Sequence, residues 1–226
     1  MSQLPLPLRL QDHAIFETFW TQGNEAAVAF ARELGESPSA PGGWLFGASS
    51  TGKSHLLQAL CARRESDAQY LPLRDLKVAG AGTLEAMGKR QLICLDDVDS
   101  VAGDPAWEEG LFRLLLDAAD HGATVVAAAE TGAREAGFSR DDVSSRFSQL
   151  PSFQLVALDD DGLHAALKLR ARHRGLELPD ETARFLLNRQ RRDMGSLYEL
   201  LDRLDAEAMV AKRRLTVPFV KSVLGG

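Results

Sequence analysis

At 226 residues the chain is long enough for one α/β domain and a small helical one, and a hydrophobic content of 45% supplies a sizeable core. A formal charge of −6 argues against a dedicated nucleic-acid-binding face, which is ordinarily basic. The two cysteines, Cys61 and Cys94, sit in apolar patterns and read as reduced core residues of a cytoplasmic protein, not as a disulfide or metal site. No apolar run approaches a membrane span, and the amino terminus has neither the basic nor the long apolar region of a signal peptide.

The chain opens on Gln3-Leu4-Pro5-Leu6-Pro7-Leu8, in which two prolines favour extended backbone and lower the entropy lost on docking. Residues 24–35 then predict a helix with Ala26, Ala27, Ala29 and Phe30 apolar, ended by a Pro/Gly-rich break at Ser37–Gly43. Trp44-Leu45-Phe46 reads as a short buried strand. Directly after it stands Gly47-Ala48-Ser49-Ser50-Thr51-Gly52-Lys53-Ser54, the P-loop pattern of a glycine, four free positions and Gly-Lys-Ser. The glycines let backbone N–H groups close around a polyphosphate, Lys53 brings a point charge to the terminal phosphates, and the Ser54 hydroxyl can ligate magnesium. The helix predicted from Ser54 through Cys61 points its amino terminus, with His55, at the same phosphates.

Ala68–Leu73 predicts a strand. Gln91-Leu92-Ile93-Cys94-Leu95-Asp96-Asp97 is an apolar strand ending in two carboxylates, the Walker B pattern, where open α/β sheets bind ligands. Asp96 is assigned to magnesium, directly or through water, and Asp97 to orienting the attacking water. Trp107–Ala119 is an amphipathic helix with Leu111, Leu114, Leu115 and Ala118 on one face. Thr124–Ala129 is a further buried strand and Gln154–Ala157 a short fifth one. The alternation predicts an α/β core with a parallel sheet. Beyond residue 158 the pattern is wholly helical: Asp160–His173 followed by Gly175, Pro179–Arg189, Asp193–Lys212 with Leu197, Leu200, Leu201 and Leu204 in register, and Val217–Leu224 opened by Pro218. The expected division is an amino-terminal peptide over 1–10, the nucleotide-binding core over 11–158 and a helical lid over 159–226.

The remaining motifs get plainer readings. His13, His55, His121, His164 and His173 show no metal-ligand spacing. Arg189-Gln190-Arg191-Arg192 and Lys212-Arg213-Arg214 read as solvated helix ends. Phe16, Phe19 and Trp20 divide between core packing and stacking near a base.

The order of P-loop, Asp96-Asp97, the segment Asp141-Asp142-Val143-Ser144-Ser145-Arg146-Phe147 and a helical lid resembles AAA+ ATPases of the DnaA replication-initiator group. Phe16-Glu17-Thr18-Phe19-Trp20 with Asn24 is similar to that group's adenine-side box. The likeness covers residues 3–224 and, with no segment like the DNA-binding helix-turn-helix domain, the chain resembles the group's regulatory inactivators. It implies an AAA+ core with a helical lid, ADP or ATP with Mg2+ as ligands, and Arg146 as an arginine finger. It further implies DnaA as partner, with self-association allowed and no membrane role. The Gln3–Leu8 peptide resembles the hexapeptide that docks on the bacterial DNA sliding clamp (the polymerase β subunit), which would bring DNA near indirectly. Leu6 and Leu8 would enter an apolar pocket and Gln3 would bond its rim.

Two departures bear on turnover. Gly195 stands where the lid helix of the group carries a sensor arginine, with Arg192 the nearest replacement, and Ala128-Ala129-Glu130 is poorer in polar groups than the group's other sensor. The residues therefore predict nucleotide binding with weak intrinsic hydrolysis. Two other readings stay open at this point: an autonomous ATPase such as a helicase loader, and a binding adaptor that uses nucleotide only as a structural ligand.

Overall fold

In the computed structural model, residues 14–37, 42–85, 87–189, 194–211 and 213–225 are described. They form two compact units that divide between Val156 and Ala157.

The first unit is built on five strands: β1 (Gly42–Phe46), β2 (Ala68–Pro72), β3 (Leu92–Asp96), β4 (Thr124–Ala129) and β5 (Ser152–Gln154). They pair in the order β2-β3-β4-β1-β5, every pair parallel. Side chains alternate across a strand, so each strand feeds two cores. Trp44, Ile93, Leu95, Val125, Ala127 and Ala129 enter one apolar cluster. Leu45, Leu92, Cys94, Val126 and Ala128 enter the other. The second cluster is closed by α1 (Glu25–Glu36) and α2 (Lys53–Arg64), the first by α4 (Pro105–Asp120) and α5 (Asp141–Ser148). A sheet covered on both faces has continuously apolar strands, and β3 and β4 are buried at every position. Cys61 and Cys94 are free, buried thiols in the second cluster.

The predicted elements shift at three places. The break at Ser37–Gly43 ends earlier, because Gly42 and Gly43 already pair with Val125 and Val126. The strand predicted from Gln91 to Asp97 runs from Leu92 to Asp96, since Asp97 leaves it with left-handed backbone, φ 52°. The fifth strand lies over Ser152–Gln154, not Gln154–Ala157. The apolar Leu155 and Val156 lie just past it, the Leu155 N–H bonding Phe46 O and the Val156 N–H bonding Asn24 Oδ1. Between β2 and β3 the chain makes a short helix, α3 (Leu73–Leu76), and successive 3₁₀ turns.

The second unit holds α6 (Asp160–His173), α7 (Asp180–Arg189), α8 (Met194–Ala211) and α9 (Val217–Leu224) around Leu167, Leu186, Leu197, Leu201, Leu204 and Val220. Asp159 caps α6 by accepting from the Gly162 N–H at 2.7 Å. The Thr182 hydroxyl ties α7 to Leu215 O at 3.0 Å. No described helix is long and apolar enough to cross a membrane.

Candidate nucleotide site and arginine helix

The parallel sheet brings the carboxyl ends of β1, β4 and β3 side by side, and the chain leaves each of them with chemistry. From β1 comes the loop Gly47–Gly52. Gly47 and Gly52 have φ of 154° and 97°, a region that favours glycine. Space excludes side chains as well: a Cβ on Gly47 would sit 2.3 Å from Leu155 O, and one on Gly52 would sit 2.7 Å from the Phe19 ring. Ala48, Ser49 and Ser50 are exposed along the loop, while Thr51 is buried and its hydroxyl donates to Ala48 O at 3.0 Å.

Lys53 opens α2 and is 6% exposed. Its Nζ donates to Gly47 O at 2.7 Å and Ala48 O at 2.9 Å, so the amine braces the cradle from inside. Burial lowers its pKa, and the nearby carboxylates Asp96, Asp97, Glu130 and Asp99 oppose that shift. Ser54 follows Lys53 in the first turn of α2 and is exposed. His55 turns back to the amino-terminal segment. Its Nε2 lies 2.9 Å from Ile15 O and 3.3 Å from the Thr18 hydroxyl, and the Phe19 ring meets it edge-on. Phe16 and Phe19 are core residues and Trp20 is half-buried. Asn24 bonds both backbone groups of Val156, fixing the same segment to the chain after β5.

Asp96 ends β3 and is 2% exposed. Desolvation raises its pKa, and the nearby Ser54 and Tyr70 hydroxyls oppose the rise. Asp97 is half-buried and accepts from Arg74 Nε at 2.9 Å. With the Arg74 side chain 59% exposed, this is a pair of at most about 1 kcal/mol, weak enough to be exchanged for a water or ligand. The Ser54 hydroxyl and the Asp96 carboxylate are hard oxygen donors, at the start of α2 and the end of β3. That sparse set fits Mg2+ when phosphates and waters complete its shell.

The arginine segment is the helix α5. Val143 and Phe147 are fully buried, and Phe147 stacks on Phe138 at 5.4 Å and meets Trp44 at 5.1 Å. Anchoring that face leaves Arg146 half-exposed on another, its guanidinium 5.5 Å from the Phe112 ring centre. Among the described residues Arg146 makes no ion pair; the pairing with Asp142 belongs to Arg140, which also reaches Glu109. Glu108 on α4, wholly buried, accepts the backbone N–H groups of Gly103 at 2.7 Å, Ser139 at 2.8 Å and Arg140 at 2.8 Å. It holds the entry to α5 by satisfying donors that would otherwise be orphaned.

Tyr70, Arg74, Glu108 and Arg140 escape a sequence reading. Glu108 alone left a signal, a charge on the apolar face of the helix three residues before Leu111. Gln3–Leu8, His13, Arg191 and Arg192 lie outside the described residues, so neither the peptide nor the replacement arginine receives a structural account. Gly195 lies in the first turn of α8.

Residues 159–224 match the family described as "Hda, lid domain". Domain III of the Thermotoga maritima replication initiator DnaA superposes with a TM-score of 0.76 at 19% identity, covering 96% of this chain and 98% of that one. The fold is that of DnaA domain III, and its last segment matches a lid-domain family. The AMPPCP-bound DnaA of Aquifex aeolicus gives a TM-score of 0.68 at 21% identity over 85% of this chain and 65% of that one. The fold likeness extends to the Thermotoga maritima RuvB Holliday junction branch migration motor, with a TM-score of 0.63 at 17% identity and coverage of 90% of this chain and 68% of that one. The loop after β1, the Asp96–Asp97 strand end and the Arg146 helix all belong to the first unit, and the segment that matches the lid-domain family follows it in sequence.

Proposed function

We propose that this protein is a negative regulator of bacterial replication initiation that promotes hydrolysis of ATP bound to DnaA. The observation that carries the reading is Arg146: a guanidinium without an ion pair among the described residues, on a short helix whose other face is locked into the core. A cation so placed is available to a neighbouring molecule. In this reading the chain holds ADP or ATP in the Gly47–His55 cradle, with Lys53 on the phosphates. Ser54 and Asp96 would hold Mg2+, which neutralises phosphate charge when bound. Asp97, released from Arg74, would orient water. AMPPCP in a DnaA of the same fold supports the nucleotide assignment, and the Hda lid supports the link to replication control. Because Gly195 offers no side chain where the resemblance expects a sensor arginine, hydrolysis is assigned to the partner's nucleotide.

The Gln3–Leu8 peptide would recruit the DNA-loaded clamp and so concentrate the regulator where replication is under way. Deleting residues 1–8 is expected to abolish co-elution with the clamp and clamp-dependent stimulation of DnaA. ADP affinity and melting temperature should stay nearly unchanged, because a terminal peptide of this kind contributes little core burial. Analytical gel filtration with purified clamp reads the first effect and calorimetry the second. Retained co-elution by the truncated protein would remove the peptide from the account.

A further inference from the structure

We propose that Tyr70 is a positioning residue for magnesium, acting through Asp96. The inference rests on the nucleotide reading above and adds to it a residue that neither the P-loop nor the strand-end carboxylates contain. Register brings it there. In the β2–β3 pair Tyr70 stands beside Cys94 and Pro72 beside Asp96, so Tyr70 and Asp96 are diagonal neighbours on the face that α2 covers.

The Tyr70 hydroxyl donates to Asp96 Oδ2 at 2.7 Å. The direction of that bond is set from behind, because Gln58 Nε2 on α2 donates to the same phenol oxygen at 3.3 Å. Oδ1 of Asp96 accepts from the Asp97 N–H at 3.0 Å. A carboxylate offers about four acceptor sites. Two donors, one on each oxygen, therefore hold the group and leave it able to accept again, from the metal or a water on it. Such fixation matters because Asp96 is 2% exposed and water cannot orient it. Partners that orient a ligating carboxylate typically change metal affinity by about 10- to 100-fold when removed.

Tyr70→Phe keeps the ring against the α2 cluster and removes only the donor. The test is calorimetric titration of ADP into wild-type and Tyr70→Phe protein, once in EDTA and once across a MgCl2 series. In EDTA the two proteins should bind ADP equally. The Mg2+ concentration giving half the magnesium-dependent gain should rise about tenfold or more in the variant. Gln58→Leu, which leaves the phenol but removes its orienting donor, should move the midpoint the same way by less. An unchanged midpoint in Tyr70→Phe overturns the proposal, as does equal weakening with and without Mg2+, which would make Tyr70 part of the pocket's shape only. A wild-type protein that binds ADP with no response to Mg2+ overturns the magnesium assignment itself and this proposal with it.

Discussion

Arg146→Ala is expected to lose about 10³-fold of the stimulation of DnaA-bound ATP hydrolysis while still binding ADP and the clamp. The separation follows from when the arginine acts. A finger meets charge that develops in a neighbour's transition state, so its removal leaves ground-state binding nearly intact. The local geometry sharpens the expectation. Val143 and Phe147 carry the burial of α5, and Arg146 makes no ion pair among the described residues, so the variant should fold as the wild type does. Its contact with Phe112 is worth about 0.5–1 kcal/mol at a half-exposed site, little enough to be given up on docking. Arg146→Lys should recover little, because a point charge does not reproduce the planar donor fork. The measurement is the fraction of ATP converted to ADP on preloaded DnaA over time, with circular dichroism confirming the fold. Undiminished stimulation by folded Arg146→Ala would exclude the finger and favour an adaptor that acts by contact alone.

Lys53→Ala should weaken ADP binding by roughly a hundredfold. Truncating one partner of a buried, hydrogen-bonded charge pair costs about 3 kcal/mol, and each 1.4 kcal/mol is about a factor of ten. Two effects add here. The phosphates lose their buried cation, and the cradle loses the amine that bridges Gly47 O and Ala48 O. The consequence appears in stability as well. A ligand that binds only the folded state adds about 2.7 kcal/mol at one hundred times its Kd. ADP should therefore raise the melting temperature of the wild type and leave that of Lys53→Ala almost unmoved. Equal calorimetric affinity in the two proteins would contradict the assignment of the loop.

What the sequence discloses is what lies close along the chain. The P-loop and the Asp96–Asp97 strand end are local patterns, each with its strand or helix in the same few residues, and both are read correctly as elements. The helices of the second unit follow from leucine spacing in the same way. What escapes depends on partners far apart in sequence. Tyr70 reaches Asp96, 26 residues away, only through the β2–β3 register. The N–H groups that Glu108 receives come from Ser139 and Arg140, 31 and 32 residues on. The fifth strand was displaced because its own residues, Ser152 and Gln154, are exposed at the sheet edge, while the apolar signal sits beyond it at Leu155. The turns over residues 77–89 contain Gly80, Gly82 and Gly88 and have no periodicity to read. Arg140 and Arg146 look alike in sequence; the structure separates them, one pinned between two carboxylates and the other without an ion pair among the described residues.

The most direct test is a reconstituted assay. DnaA preloaded with labelled ATP is mixed with this protein in three settings: alone, with free clamp, and with clamp loaded on DNA. The account predicts slow hydrolysis in the first two and rapid conversion of DnaA-bound ATP to ADP in the third. It also predicts little release of ADP from this protein's own nucleotide. Hydrolysis by this protein alone, at the same rate with DnaA and clamp left out, would contradict the account and identify an autonomous ATPase.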